Sequence, residues 1–364
     1  MKSPIDYFTS ITDPRVERTK EHKLSDIVFI SIAAVICGAE TWNDIEAFGK
    51  AKQDWLKHYL SLENGIPSHD TFNRVFSAID PAQFESCFMS WVKDVAQITE
   101  GEVMSIDGKT IRGSRRHGSK AMVHMVSAWA QANHMVMGQV KVNEKSNEIT
   151  AIPKLLEVLA LKGCIVTIDA MGCQTEIAKK IIEKEADYVL AVKGNQGNLE
   201  QAINDTVQLS KPIAICENTD SGHGRIETRT CNVYTDLSHI ADVEKWEKLK
   251  CIVVLESNRY IKSTQQEETE KRFYISSCNP DAKKLESVVR HHWGIENSLH
   301  WVLDVAFNED KSTKQNENAV QNFSVLNRIG LNLLKNDKTK KRSVKGKRLD
   351  AGWNNDYLIQ ILKN

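Results

Sequence analysis

Val103-Met104-Ser105-Ile106-Asp107-Gly108 and Cys164-Ile165-Val166-Thr167-Ile168-Asp169 decide the fold. Each is a short, mostly apolar run with β-branched residues that ends in an aspartate, the pattern of a buried strand stopped by a charge. Residues 121–130 and 134–142 read as two more strands, and their separator Gln131-Ala132-Asn133 marks a hairpin. Residues 152–161 read as a helix, with Pro153 tolerated in the first turn. A helix over 175–184 and an apolar strand over 188–192 follow. Lys193-Gly194-Asn195-Gln196-Gly197-Asn198 then opens a helix to about residue 209. The order β-β-β-α-β-α-β-α predicts an α/β mixed sheet with crossover and flanking helices.

On the N-terminal side, residues 1–98 read as an all-helical domain. An apolar helix over 24–37 opens at Ser25 and Asp26 and closes at Gly38. Thr41 and Asp44 have capping-box spacing, Ser68 caps a helix ending at Ala78, and Asp80-Pro81 starts the next. On the other side, residues 212–276 turn β-rich, and Asp281 opens a long helix to about Phe307. The expected organisation is a helical domain over 1–98, a catalytic domain over 99–211 and 277–335, a β-rich insertion over 212–276 and a basic C-terminal tail over 336–364. The run Lys335–Arg348 is either a solvated connector or a phosphate-binding arm.

The chain has 364 residues with 48 basic and 48 acidic side chains, so a uniformly basic coat is excluded while local patches are not. The longest uncharged apolar run, 27–39, is too short for a bilayer. The start Met1-Lys2-Ser3-Pro4 lacks the layout of a signal peptide, so the expected location is cytoplasmic. The eight cysteines contain no C-x-x-C pair, which argues against a zinc ribbon or thioredoxin motif.

Chemistry points to carboxylates. Asp107 and Asp169 each end a strand, and a sheet's carboxyl edge is where α/β folds place their sites. In the long helix, His292, Glu296, His300 and Asp304 recur at every fourth position and share a face. That stripe reads as a surface ion-pair ladder, as a zinc site lacking the usual H-E-x-x-H spacing, or as a metal-binding carboxylate presented to the two aspartates. Three carboxylates suit two Mg²⁺ or Mn²⁺ ions, which act at phosphodiesters.

The words Ile106-Asp107-Gly108-Lys109-Thr110-Ile111-Arg112-Gly113-Ser114, Thr167-Ile168-Asp169-Ala170-Met171-Gly172-Cys173-Gln174 and Arg290-His291-His292-Trp293-Gly294-Ile295-Glu296-Asn297-Ser298-Leu299-His300-Trp301 closely resemble bacterial insertion-sequence DDE transposases. The group is the one that includes the H-repeat-associated proteins of Rhs elements. Pro67-Ser68-His69-Asp70-Thr71-Phe72 resembles that family's helical associated domain. The resemblance implies a ribonuclease-H-like catalytic domain with Asp107, Asp169 and Glu296 as its metal triad, cutting element ends and joining 3′-hydroxyls to target DNA. Asp169 and Glu296 lie 127 residues apart, room for a β-rich insertion before the third acid. One departure is Leu303, where related enzymes carry a lysine, and Asp304 and Asp310 remain competing acids.

The implied partners are double-stranded DNA at element ends and target DNA, with a homodimer assembled on DNA and no membrane. Lys109, Arg112, Arg115 and Arg116 are candidate phosphate contacts, Arg290, His292, Trp293 and His300 are further candidate DNA-binding residues, and Trp293 or Trp301 is a candidate base-stacking residue. Rival readings are a nuclease of the same fold without strand transfer and a decayed DNA-binding remnant.

Overall fold

The computed structural model describes residues 4–115, 122–142, 148–222 and 224–363. Among them, nine strands form one mixed sheet in the order β3-β2-β1-β4-β5-β9-β8-β7-β6. These are β1 (Val103–Ile111), β2 (Val123–Ala130), β3 (Met135–Val142), β4 (Ile165–Ile168), β5 (Asp187–Val192), β6 (Ala214–Gly222), β7 (Arg225–Tyr234), β8 (Cys251–Ile261) and β9 (Gln266–Ser276). The centre β1-β4-β5 is parallel, and the helices Glu148–Val158 and Thr175–Glu183 lie between its strands in sequence. Parallel neighbours need such crossovers, whereas β2 and β3 pair antiparallel through a tight turn.

Two details differ from the sequence reading. First, β1 does not stop at Asp107. Its parallel pairing with β4 ends at Ile106↔Ile168, but β2 accompanies it to Ile111↔Val123, so the backbone stays in the ladder past the acid. Second, β6–β9, in the segment read as a β-rich insertion, form no separate sheet among the described residues but continue this one. β9 pairs antiparallel with β5 from Val189↔Ser276 to Val192↔Phe273, which satisfies the hydrogen-bonding groups that β5 would otherwise leave open.

The N-terminal helices form as their caps dictate. The Thr41–Asp44 capping box is complete, Ser68 accepts from the Thr71 amide, and Asp80 accepts from the Ala82 amide ahead of Pro81. The helix Leu24–Ile36 is buried along most of its length and packs on Glu317–Asn336, another deeply buried helix. Gly330 is the close point of that contact: a Cβ there would lie 3.4 Å from Val35 and 3.3 Å from Phe307. The N-terminal helices, most of the sheet and the C-terminal helices share one continuous apolar core.

The segment expected as a basic tail is instead folded into the helices Val344–Trp353 and Asn355–Lys363. Arg348 is buried and donates to the carbonyls of Val35 and Ala39, and Lys347 donates to those of Leu334 (2.9 Å) and Asp337 (2.5 Å). These cations satisfy carbonyls at the ends of the two buried helices, where the macrodipole favours positive charge. Among the described residues no helix is long and apolar enough to cross a membrane.

Candidate active site

The site is assembled at the end of the parallel pairing. Because Ile106 pairs with Ile168, Asp107 within β1 and Asp169 just past the end of β4 come next to each other at the end of the parallel pairing. Asp169 caps the short turn Ala170–Gly172, and its carboxylate accepts from the amides of Met171 (3.1 Å) and Gly172 (3.4 Å). Burial, joined by the charge of Glu148, pushes the Asp169 carboxyl above its ordinary range.

The third wall is the long helix. Asp281 caps it by accepting from the Lys284 amide, and it runs as an α-helix over Ala282–Ile295. It then widens into a π-turn over Glu296–His300 and resumes as an α-helix over Trp301–Ala306. A π-turn inside an α-helix is a recurrent feature of functional sites. It carries Glu296 and His300 to Asp107: His300 Nδ1 lies 3.4 Å from the Asp107 carboxylate and 3.5 Å from that of Glu296. One ligand atom from each of Asp107, Glu296 and His300 falls within 4.8 Å of the others. Burial and the adjacent Glu296 charge push Asp107 well up, while His300 holds Glu296 down. Among the described residues the buried Nε2 of His300 has no hydrogen-bond partner. Crowded carboxylates beside the imidazole Nδ1 are a donor set that a divalent cation would stabilise.

The competing acids Asp304 and Asp310 are both engaged by one lysine. Lys109, only 7% exposed, bridges Asp304 (2.8 Å) and Asp310 (3.0 Å). Burial opposes its charge, but Glu309, Asp304 and Asp310 together outweigh burial and hold the ammonium protonated. Lys109 is therefore buried between two carboxylates. The face-sharing stripe of the sequence reading is split: Asp304 serves Lys109, and His292 turns to β4, where its Nδ1 lies 2.9 Å from Thr167 Oγ1. Burial lowers the His292 imidazole to about 4, so it is a neutral bolt between helix and sheet. His300 is likewise buried within the cluster, and Leu303 lies in the core.

Of the remaining candidates, Arg290 pairs with Asp220 at 2.9 Å. Trp293 is half-exposed, with the Arg272 guanidinium 4.6 Å from its ring centroid. Trp301 is 61% exposed. Arg112 and Arg115 are exposed, Arg112 lying 3.5 Å from Asp310, and Arg116 lies outside the described residues.

Sequence reasoning missed His124 and Glu148. His124 bridges Thr110 Oγ1 (2.8 Å) and the Glu148 carboxylate (2.6 Å), on the side of β1 opposite Asp107. The available signal was the glycine after the first acid: a Cβ at Gly108 would lie 2.1 Å from Glu148 Oε1 and 2.6 Å from His124 Nε2. The glycine admits both side chains against the strand.

Comparison with known proteins places the chain in a family. A family described as "Transposase DDE domain" matches residues 98–333, and a DDE_Tnp_1-associated family matches residues 5–92. "Putative transposase YncI" of Escherichia coli O157:H7 is 45% identical over 100% of this chain and 95% of its own length.

The chain belongs to the DDE transposase family.

Within that family it is also similar to the "H repeat-associated putative transposase YhhI" of Escherichia coli K12, 43% identical over 100% of this chain and 98% of the relative. A piggyBac transposase synaptic complex with hairpin DNA is a distant structural neighbour. It has 11% identity and a TM-score of 0.46, and the match covers 98% of this chain and 76% of that one. The family implies a divalent metal, and the Asp107, Glu296 and His300 cluster is compatible with one.

Proposed function

We propose that this DDE transposase cuts DNA at the ends of an insertion sequence and joins the freed 3′-hydroxyls to target DNA. The observation that carries the reading is the convergence of Asp107, Glu296 and His300 within 4.8 Å, with Asp169 on the adjoining strand. The parallel β1-β4-β5 centre, flanked by antiparallel β2-β3, supports a ribonuclease-H-like core.

Asp107, Asp169 and Glu296 would hold two Mg²⁺ or Mn²⁺ ions, with His300 behind them. Such ions lower the pKa of an attacking water or hydroxyl and stabilise charge building at phosphorus. The protein's own contribution is placement. Lys109 ties β1 to the far end of the helix, and the His292–Thr167 contact ties β4 to its middle, so the three acids keep fixed separations. His300 spans Asp107 and Glu296 and limits their mutual repulsion. The assembly on paired DNA ends is a homodimer.

The test uses duplex DNA bearing the inverted repeats that flank the gene, with Mg²⁺. Asp107→Asn, Asp169→Asn and Glu296→Gln each lower cleavage by at least about two orders of magnitude, the scale of losing one preorganised electrostatic contact at a reacting centre. DNA affinity falls far less. Cleavage without joining of pre-cut ends would identify a nuclease, and binding without cleavage would identify a remnant.

A further inference from the structure

A groove of about 530 Å³ lies between the outer strands and the long helix, and among the described residues Arg225, Arg229, Arg259, Arg272 and Arg290 line it. The sheet register explains why residues so scattered in sequence meet. Strand side chains alternate faces, so Arg225, Glu227 and Arg229 of β7 share one face. Glu227 pairs with Arg259 of β8, and Leu255 of β8 pairs with Arg272 of β9, which brings those residues to the same face. Farther along that face, Cys231, Val233, Val253 and Leu255 are apolar and covered by Leu285, Val288 and Val289 of the helix. Beyond this cover the face becomes cationic and open, and Arg290 and Trp293 overlook it from the helix. The groove ends at Asn297 and Ser298, the two residues after Glu296.

We propose that this groove holds the sugar-phosphate backbone of the DNA strand leading to the Glu296 end of the active site. The inference rests on the transposase reading above and supplies it with a DNA path. Five arginines face two glutamates, Glu227 and Glu286, in the groove lining, although the whole chain has no net charge. The other acids that pair with these arginines stand outside the lining and are half-exposed. Asp220 holds Arg229 (2.8 Å) and Arg290 (2.9 Å), Glu268 holds Arg259 (3.4 Å), and Glu270 holds Arg272 (2.6 Å). Solvent at these half-exposed carboxylates weakens the pairs, which orient the guanidiniums. Glu227 within the groove braces Arg229 (2.7 Å) and Arg259 (3.4 Å) and leaves Arg225 and Arg290 as the exposed cations. Among the described residues the buried Nε of Arg259 has no acceptor, and a phosphate oxygen would provide one. Among the described residues Glu286 Oε1 is also buried without a partner, and a base amine on the same strand offers a donor. Trp293 adds a half-exposed aromatic surface beside the Arg272 guanidinium.

The experiment measures anisotropy of labelled 30-nucleotide single-stranded and 30-base-pair duplex DNA of mixed sequence, titrated with the full chain across a salt series. Arg225→Gln/Arg290→Gln changes two exposed side chains and keeps the core. The expected result is affinity about 10-fold lower or more and a shallower log K against log salt. The slope falls by roughly 0.9 per lost contact on duplex and 0.7 on single strand. Loss confined to one probe identifies single-stranded or duplex backbone as the occupant. Arginine modification by phenylglyoxal, read by mass spectrometry, provides a mutation-free check: DNA should protect Arg225 and Arg290. Unchanged affinity, slope and reactivity in a chain that does bind DNA would overturn the groove. Absence of DNA binding by the unaltered chain would instead overturn the transposase reading.

Discussion

The long helix presents an acidic cluster and an arginine groove on either side of Glu296, and the two are encoded differently. The acids sit in compact words, Ile106-Asp107-Gly108 and Thr167-Ile168-Asp169, whose strands pair directly, so adjacent residues in sequence already describe the edge of the site. The arginines are single residues at positions 225, 229, 259, 272 and 290, and only the antiparallel register of β7, β8 and β9 makes them one surface. Local chemistry can be read from a sequence without its pairings, whereas a surface built across strands cannot.

Lys109 tests this contrast most strongly, because a basic residue two positions after the first acid invites a phosphate-binding role. Its observed place between Asp304 and Asp310 makes it a structural cation. Lys109→Met leaves two acids without their counter-charge. Breaking a fully buried pair costs 3–5 kcal/mol, and the partial solvent access of the two aspartates reduces this to about 2–3 kcal/mol. A denaturant titration should show that loss, and the salt slope of DNA binding should stay unchanged. The reverse pattern, intact stability with a shallower slope, would return Lys109 to the DNA-facing set.

The same distinction explains how much could be read. The strand and helix order over 103–209 is legible because each element carries its own period and caps, and the N-terminal caps at Thr41, Ser68 and Asp80 are local signals. The continuation of the sheet through β9 is not legible, since nothing in Phe273–Ser276 names Val189–Val192 as its partner. The π-turn at Glu296–His300 also leaves no mark in a regular four-residue spacing of His292, Glu296, His300 and Asp304, so a shared face is the natural expectation. In the C-terminal segment, charge density suggests solvent, but Lys347 and Arg348 are consumed by helix-end carbonyls. The Glu148–His124 pair is hidden because its partners come from β1, β2 and a later helix.

His292 sits at the junction of the two regions and gives a smaller effect. Burial lowers its folded pKa to about 4 from 6.5, so the folded state resists protonating it. The sign follows from linkage: between those values the unfolded chain binds more protons, and stability falls as pH drops from about 6.5 toward 4. His292→Gln keeps a hydrogen-bonding group for Thr167 but removes the titration. Unfolding measured at pH 7 and pH 4.5 should lose about 1–3 kcal/mol less across that interval in the variant than in the parent. Equal losses would mean that His292 is already solvated and free to meet DNA, and the division between neutral bolt and cationic groove would weaken.

The smallest effect is expected from the exposed basic stretch after β1. Arg112 is 80% exposed at its side chain and lies 3.5 Å from Asp310, an acid already engaged by Lys109 at 3.0 Å. Asp310 therefore holds Arg112 loosely, and a phosphate can displace it, whereas the groove arginines are braced by strand neighbours. Neutralising Arg112 and Arg115 together should lower the slope of log K against log salt by at most roughly 0.9 per duplex contact. The change should be uniform across DNA sequences, because such contacts position the backbone and do not read bases. Adding Arg116→Gln extends the test to the next basic position. A larger slope change here than in the Arg225/Arg290 variant would reverse the ranking of the two surfaces and route the principal DNA path over the β1–β2 connection.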